Sequence, residues 1–530
     1  MSKGGVMNTI RLFNFASVLT VALVLGACTP HKIYRSNFTD VCNVAERDSE
    51  CLDNALQVYE TDVDKDSEYF LGFVEFDDQG QLWDRSQMHA VIRAIKEVAA
   101  KGVKAVAEAR KVSAADGTAP GTSDVIMVVF VHGWQHSAKP GDKNIQHFRE
   151  LLRQVSALES QFPRGLGQPA RPVVGVYLGW RGRSLDVPYI SDLTFWDRKD
   201  TAQKVGRGGV TEVLERLELI KLDKNAALAE KTRQRRISAC LEEKPASQSC
   251  LENALKDNAR KSRTNLIVIG HSFGGAVVYS AVSQVLKDRY LPVNSGAGNP
   301  ASGNKTNEDI VDGFGDLVVL LNPAFEANLY STLENMSSEK RSYSPQQRPV
   351  LAILTSETDR ATGTAFPLGR WVSTIFETER EVSTVDPVAP DKKRMIDQGE
   401  ANRQTVGHFE PYTTHVLSPY APSVTAAATT GSAGTSPTTA KIEKSLELFR
   451  CAYKNWKNDR VGGKIYFKGT VLEHLNKSVG RNPYLVIRVK KELIPDHNEI
   501  WDDRVTDFLL GLVFLSNYEP RGEVKCPSTE

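Results

Sequence analysis

The stretch NLIVIGHSFGG, residues 265 to 275, constrains this chain more than any other. Leu266 to Ile269 is an apolar, β-branched run of the kind that forms a buried strand. Gly270-His271-Ser272-Phe273-Gly274-Gly275 follows, and then Ala276, Val277, Val278, Tyr279, Ala281, Val282 and Val285 carry on as a helix packed on a sheet. Strand, glycine-framed turn and helix are the setting in which G-x-S-x-G presents a reactive serine. Gly270 and Gly274 stand where a Cβ would collide in so sharp a turn. The Ser272 hydroxyl is then expected above the sheet, near the positive end of the helix.

A second apolar run, Val125 to Val131, ends in His132-Gly133-Trp134. The run predicts another buried strand. His132 is read as holding the loop that follows. Further strands are read at 171–179, 316–321, 349–355 and 483–489, and helices at 86–111 and from Ile145 to Val155. Ser356-Glu357-Thr358-Asp359-Arg360 leaves the end of the 349–355 strand. His497 lies in a loop after the 483–489 strand and before a helix carrying Val505, Phe508, Leu509 and Leu510.

The motifs VHGW and GHSFGG, with the chain order serine, acid, histidine, resemble the α/β-hydrolase superfamily of serine hydrolases, of the esterase or lipase kind. The resemblance runs from about 125 to 510, with interruptions. It implies a mostly parallel central sheet with helices on both faces. It also implies a catalytic triad of Ser272, His497 and Asp359, and an oxyanion hole made by the Trp134 and Phe273 amides. Each such donor is worth roughly 3 kcal/mol of transition-state stabilisation. Glu357 is the alternative acid, and His415 and His408 are the alternative histidines. Trp180, Arg181, Phe325 and Phe366 follow strand ends and are candidates for the substrate pocket, since loops there line sites in open α/β sheets. Carboxylic esters are the default substrate. A peptidase, thioesterase or transacylase uses the same triad, and a non-catalytic binding module on a hydrolase scaffold is the alternative from another class. No metal or organic cofactor is expected.

The N-terminus reads as a targeting segment. Lys3 and Arg11 precede an apolar run, Leu12 to Leu25, too short for an ordinary transmembrane helix. Leu25-Gly26-Ala27-Cys28 resembles a bacterial lipoprotein signal, which implies removal of 1–27 and a lipid on Cys28. Thr29 after the cysteine implies the outer membrane, facing the periplasm. Of 7 cysteines, the six after Cys28 suit an oxidising compartment. Their most local pairing is Cys42–Cys51, Cys240–Cys250 and Cys451–Cys526. No C-x-x-C is present, so zinc-ribbon and redox readings are weak. A net charge of +1 leaves no basic field for nucleic acid.

The expected organisation is therefore a tether and small disulfide-pinned region at 28–85, and a first hydrolase part at 86–219. A helical, disulfide-clipped insertion follows at 220–262, then the nucleophile and acid part at 263–360. A long insertion at 361–470 includes a flexible tract at 421–440. The last strand, histidine loop and C-terminal helix occupy 471–530.

Overall fold

The computed structural model describes residues 32–47, 50–110, 124–161, 168–182, 195–242, 248–256, 261–294, 310–373, 377–389, 391–421, 437–518 and 526. Cys28 and the leader, the 295–309 loop and most of the 421–440 tract lie outside them.

From the N-terminus, strands β1 (Asn37–Asn43), β2 (Asn54–Tyr59) and β3 (Tyr69–Glu75) precede helices α1 (Arg85–Lys101) and α2 (Val103–Ala109). Next come β4 (Ile126–Val131), α3 (Lys143–Gln161), β5 (Val173–Gly179) and α4 (Phe195–Val205). The helices α5 (Thr211–Glu242) and α6 (Gln248–Lys256) lead to β6 (Asn265–His271) and α7 (Phe273–Asn294). Then follow β7 (Leu317–Leu321), α8 (Ala327–Glu339), β8 (Leu351–Ser356), α9 (Phe366–Ser373) and a two-stranded ribbon of β9 (Glu381–Val385) and β10 (Lys393–Asp397). The chain closes with β11 (His415–Pro419), α10 (Pro437–Lys457), β12 (Lys464–Phe467), β13 (Thr470–His474), β14 (Tyr484–Val489) and α11 (Asp503–Asn517).

Among the described residues the main sheet has 12 strands, in the order β1-β2-β3-β5-β4-β6-β7-β8-β14-β11-β13-β12. From β3 to β11 every neighbouring pair is parallel. The central strands are continuous apolar runs, β4 and β7 at every position, because both faces are covered. In β4, Met127, Val129 and Val131 face one core with α1 and α7. Ile126, Val128 and Phe130 face the other, with α3 and α11. The chain moves outward from β4 to β5 and then returns to β6 on the other side of β4. The C-terminal ends of β4 and β6 therefore border the crevice where such sheets bind ligands.

Two boundaries read from the sequence need correction. The 28–85 region is not a tether and cap. β3 pairs in parallel register with β5, and β2 and β1 extend the sheet beyond it. Phe70, Leu71, Phe73 and Val74 are fully buried. The polar residues between short strands hid this pattern. The 361–470 insertion is also part of the sheet: β11 pairs in parallel with β14, and the β12–β13 hairpin closes the edge. The strand at 484–489 is thus interior, between β8 and β11. Helix α10 begins at Pro437, inside the tract read as flexible. The three disulfides are Cys42–Cys51, Cys240–Cys250 and Cys451–Cys526. The second joins the end of α5 to α6, giving the clipped helical insertion.

Candidate active site

Ser272 sits between β6 and α7 with φ at 55°, a left-handed conformation that a residue with a Cβ rarely adopts. The neighbouring backbone makes the turn possible. A Cβ on Gly274 would fall 2.1 Å from the Val131 carbonyl oxygen, and one on Gly270 would fall 2.6 Å from that of Gly274. The Ser272 amide donates to the Leu321 carbonyl at 2.9 Å, and its carbonyl accepts from Ala324 at 3.1 Å. The elbow is thereby pinned to the end of β7.

His497 Nε2 lies 2.7 Å from Ser272 Oγ, and His497 Nδ1 lies 2.8 Å from Asp359 Oδ2. An ionised carboxylate only accepts, so Nδ1 carries the proton and Nε2 offers its lone pair to the serine hydroxyl. Asp359 is buried. Burial alone pushes its carboxyl up, but the His497 hydrogen bond and charge, with Thr362, outweigh this and hold it below the usual carboxylate range. Its Oδ1 accepts the amides of Ala361 (2.9 Å) and Thr362 (3.1 Å), and Oδ2 also accepts the Thr362 hydroxyl.

The histidine loop is held by its main chain. Its carbonyls accept four side-chain donors from the ends of β6, β7 and β8. Ser356 Oγ donates to Ile494 at 2.5 Å, and Thr358 Oγ1 donates to Pro495 at 3.0 Å. His271 Nε2 and Asn322 Nδ2 both donate to His497 at 2.9 Å. Asn322 also accepts the Ser356 amide at 2.9 Å and has φ at 43°. Asn322 is not among the residues that the sequence motifs single out. The signal for it was its position before Pro323 at a strand end, since asparagine tolerates the left-handed turn that Asn-Pro initiates. His271 gave no signal of its own, being one letter of the motif.

The HGW turn abuts the elbow. A Cβ on Gly133 would fall 2.7 Å from Ser272 Cβ, and Trp134 follows directly. Phe273 opens α7, so its amide belongs to the first turn, where helix N–H groups point outward. His132 is buried and neutral. Burial pulls it down to about 4, and its Nε2 accepts the Trp180 amide at 3.0 Å. Nδ1 donates to the Gly133 carbonyl at 2.9 Å.

Several candidates are placed elsewhere. Glu357 faces Lys490, with Oε2 2.9 Å from Nζ. His415 lies buried on β11, with Nδ1 2.8 Å from Thr414 Oγ1. His408 Nε2 lies 3.1 Å from Thr362 Oγ1, one step behind Asp359. The aromatic pocket candidates are core residues, not walls. Trp180 stacks on His132 with ring planes 5° apart, and its Nε1 donates to the His132 carbonyl. Phe325 stacks on Tyr279 at 4.5 Å, and Phe366 is fully buried. Arg181 pairs with Asp78, which also takes Arg198 of α4. Large apolar surface next to a strand end finds the core before it finds a pocket. An open cavity of about 610 Å³ does border the site. Its lining is polar and includes Glu357, Asp359, Arg360, Thr364, His408 and Asp496.

The chain has the α/β-hydrolase fold. A protein family described as alpha/beta hydrolase of unknown function (DUF900) matches residues 237–379, a span with Ser272 and Asp359 but without His497 or the HGW turn. No curated protein and no solved structure matches the chain.

Proposed function

We propose that this protein is a serine hydrolase cleaving carboxylic esters through an acyl-enzyme. The observation that carries the reading is the unbroken hydrogen-bonded line from Ser272 Oγ through the His497 ring to Asp359. In this reading His497 Nε2 takes the hydroxyl proton as Ser272 Oγ attacks the acyl carbonyl. The imidazolium then returns that proton to the leaving alcohol. Asp359 keeps the imidazole in its Nδ1–H tautomer and stabilises its positive charge, remaining ionised throughout. The Trp134 and Phe273 amides receive the developing oxyanion. Water, deprotonated by the same histidine, releases the acid and regenerates Ser272. The protein would be held at the outer membrane by a lipid on Cys28 and would meet its substrate in the periplasm.

The test is hydrolysis of short p-nitrophenyl esters together with labelling by a fluorophosphonate probe. Ser272→Ala should lower kcat/KM by roughly 10⁴–10⁶-fold and abolish labelling. A folded wild-type protein that neither labels nor turns over any acyl substrate would sink the proposal. Transfer to an added alcohol or amine in preference to water would make it a transacylase instead.

A further inference from the structure

A second cluster of chemistry-bearing side chains lies under the far edge of the sheet, on strands that the triad does not use. His415 and His474 are direct cross-strand partners on β11 and β13. Asp459 follows the end of α10. All three are buried, and each has a potential ligand atom within 4.8 Å of the others.

The surrounding hydrogen bonds define the state of each group. Thr414 Oγ1 accepts the Val486 amide at 3.0 Å and donates to the Val486 carbonyl at 3.1 Å. Its remaining lone pair accepts the Nδ1–H of His415. This tautomer leaves His415 Nε2 as a bare lone pair, and that atom is buried with no hydrogen-bond partner. A buried acceptor without a donor calls for an explanation, an ion among them. His474 Nε2 lies 2.9 Å from Ser478 Oγ and 3.1 Å from the Ser478 carbonyl, and its Nδ1 lies 3.0 Å from Asp459 Oδ2. A metal ion there would take the place of the proton between His474 Nδ1 and Asp459. Asp459 Oδ2 is oriented by the Arg481 amide at 2.8 Å. Each group thus has an outer partner of the kind that metal ligands have: a hydroxyl, a carbonyl and an amide.

We propose that His415, His474 and Asp459 bind one divalent transition-metal ion of the zinc class, as a structural staple. Two imidazoles and a carboxylate form a ligand set that suits zinc, with water completing the shell. The two rings are stacked, with centroids 4.5 Å apart. Loading therefore turns one imidazole and draws the ligand atoms to roughly 3.3 Å from one another. The ion would tie β11 and β13 to the turn between α10 and β12, where the sheet changes from parallel to antiparallel. The ligands stand at 415, 459 and 474 with no short repeat, so spacing gives no hint of them.

The experiment uses tag-free, EDTA-dialysed protein, titrated with Zn²⁺ by calorimetry and followed by thermal denaturation. Wild type should take up one zinc per chain and gain roughly 2–5 °C in Tm at saturation. His415→Asn should lose both responses, whereas His497→Asn should keep both. If His415→Asn does not fold, Asp459→Asn decides, and its zinc affinity should fall by about 10–100-fold. Wild type that binds no stoichiometric zinc would overturn the proposal. So would either cluster variant binding zinc as wild type does.

Discussion

Ser272 and His497 touch, yet they are held by opposite means. The serine is fixed by backbone crowding within a few residues: Gly270, Gly274 and a left-handed Ser272 on one strand–helix turn, with Gly133 against it. The histidine is fixed by side chains from three strand ends, the most distant being 226 residues away at His271. A locally determined position is brittle, because main-chain atoms cannot yield. A position set by several side-chain donors is more tolerant, because each supplies a part. That difference orders what substitutions and acid should do.

The elbow should break hardest. Gly274→Ala would place a Cβ 2.1 Å from the Val131 carbonyl oxygen and 2.6 Å from that of His132, both in the backbone of β4 and its turn. We expect a loss of about 4 kcal/mol or more in stability, read by denaturant unfolding, or no folded protein at all. A variant that folds with wild-type Tm would show that the turn is not the rigid half of the pair.

Acid should act next, at the residue joining the two halves. His271 is in the elbow, but its Nε2 holds the His497 carbonyl. Burial first, and then the charge of His497, pull it down to about 3. His132, in the neighbouring turn, is down to about 4 through burial. Both are neutral in the fold, whereas the unfolded chain takes up their protons near pH 6.5. Their stabilisation is therefore full above pH 6.5 and is lost as pH falls toward 4 and then 3. At pH 4.5 the loss should reach about 3–5 kcal/mol together. The fall of Tm between pH 7 and 4.5 measures it, and His271→Asn should flatten that fall. An equal slope in the variant would separate His271 from the effect.

Asn322→Ala tests the distributed half directly. It removes one of two donors to the His497 carbonyl and leaves the Ser356 amide without its side-chain acceptor. We expect kcat to fall by about 10–100-fold, with KM changed by less than about threefold, as for a lost positioning contact of about 1–3 kcal/mol. Ser356→Ala in the same background should cost less than it does alone, since both act on one loop. Strict additivity would mean that the donors hold the loop independently.

The same contrast explains what could be read from the chain alone. The elbow was legible because its physics is local: a β-branched run, two glycines framing the serine and an apolar helix within about twenty residues. The central strands β4 to β8 were legible because full burial makes them continuous apolar runs. The N-terminal strands were not. NFTDVCN and NALQVY mix polar and apolar residues, and only pairing, of β2 with β3 and of β1 with β2, makes strands of them. β11 to β13 were missed for the same reason, since HVLSP gains its meaning from β14 beside it. In the site, Trp180 was misplaced because a strand-end tryptophan serves a core or a pocket equally well until the His132 ring stacked on it is seen. Asn322 and His271 reach the site through the carbonyl of a residue 175 or more positions away.

The smallest effect belongs to a region outside both halves. Cys240–Cys250 closes a short loop between α5 and α6 in a charged helical excursion. The ion pairs around it, such as Arg233 with Glu230, run along one helix and are solvent-exposed, so they contribute little. Removing the crosslink with Cys240→Ser and Cys250→Ser frees the unfolded chain by at most about 3 kcal/mol. That release should appear as local fraying of the hairpin, read by hydrogen exchange within α6, while kcat stays within about twofold of wild type. The reason is mechanical: no donor to the His497 loop and no residue of the elbow lies on α5 or α6. A large loss of kcat in the folded double variant would mean that the excursion reaches the site after all, and that the division into a rigid elbow and a shared histidine loop leaves out a third support.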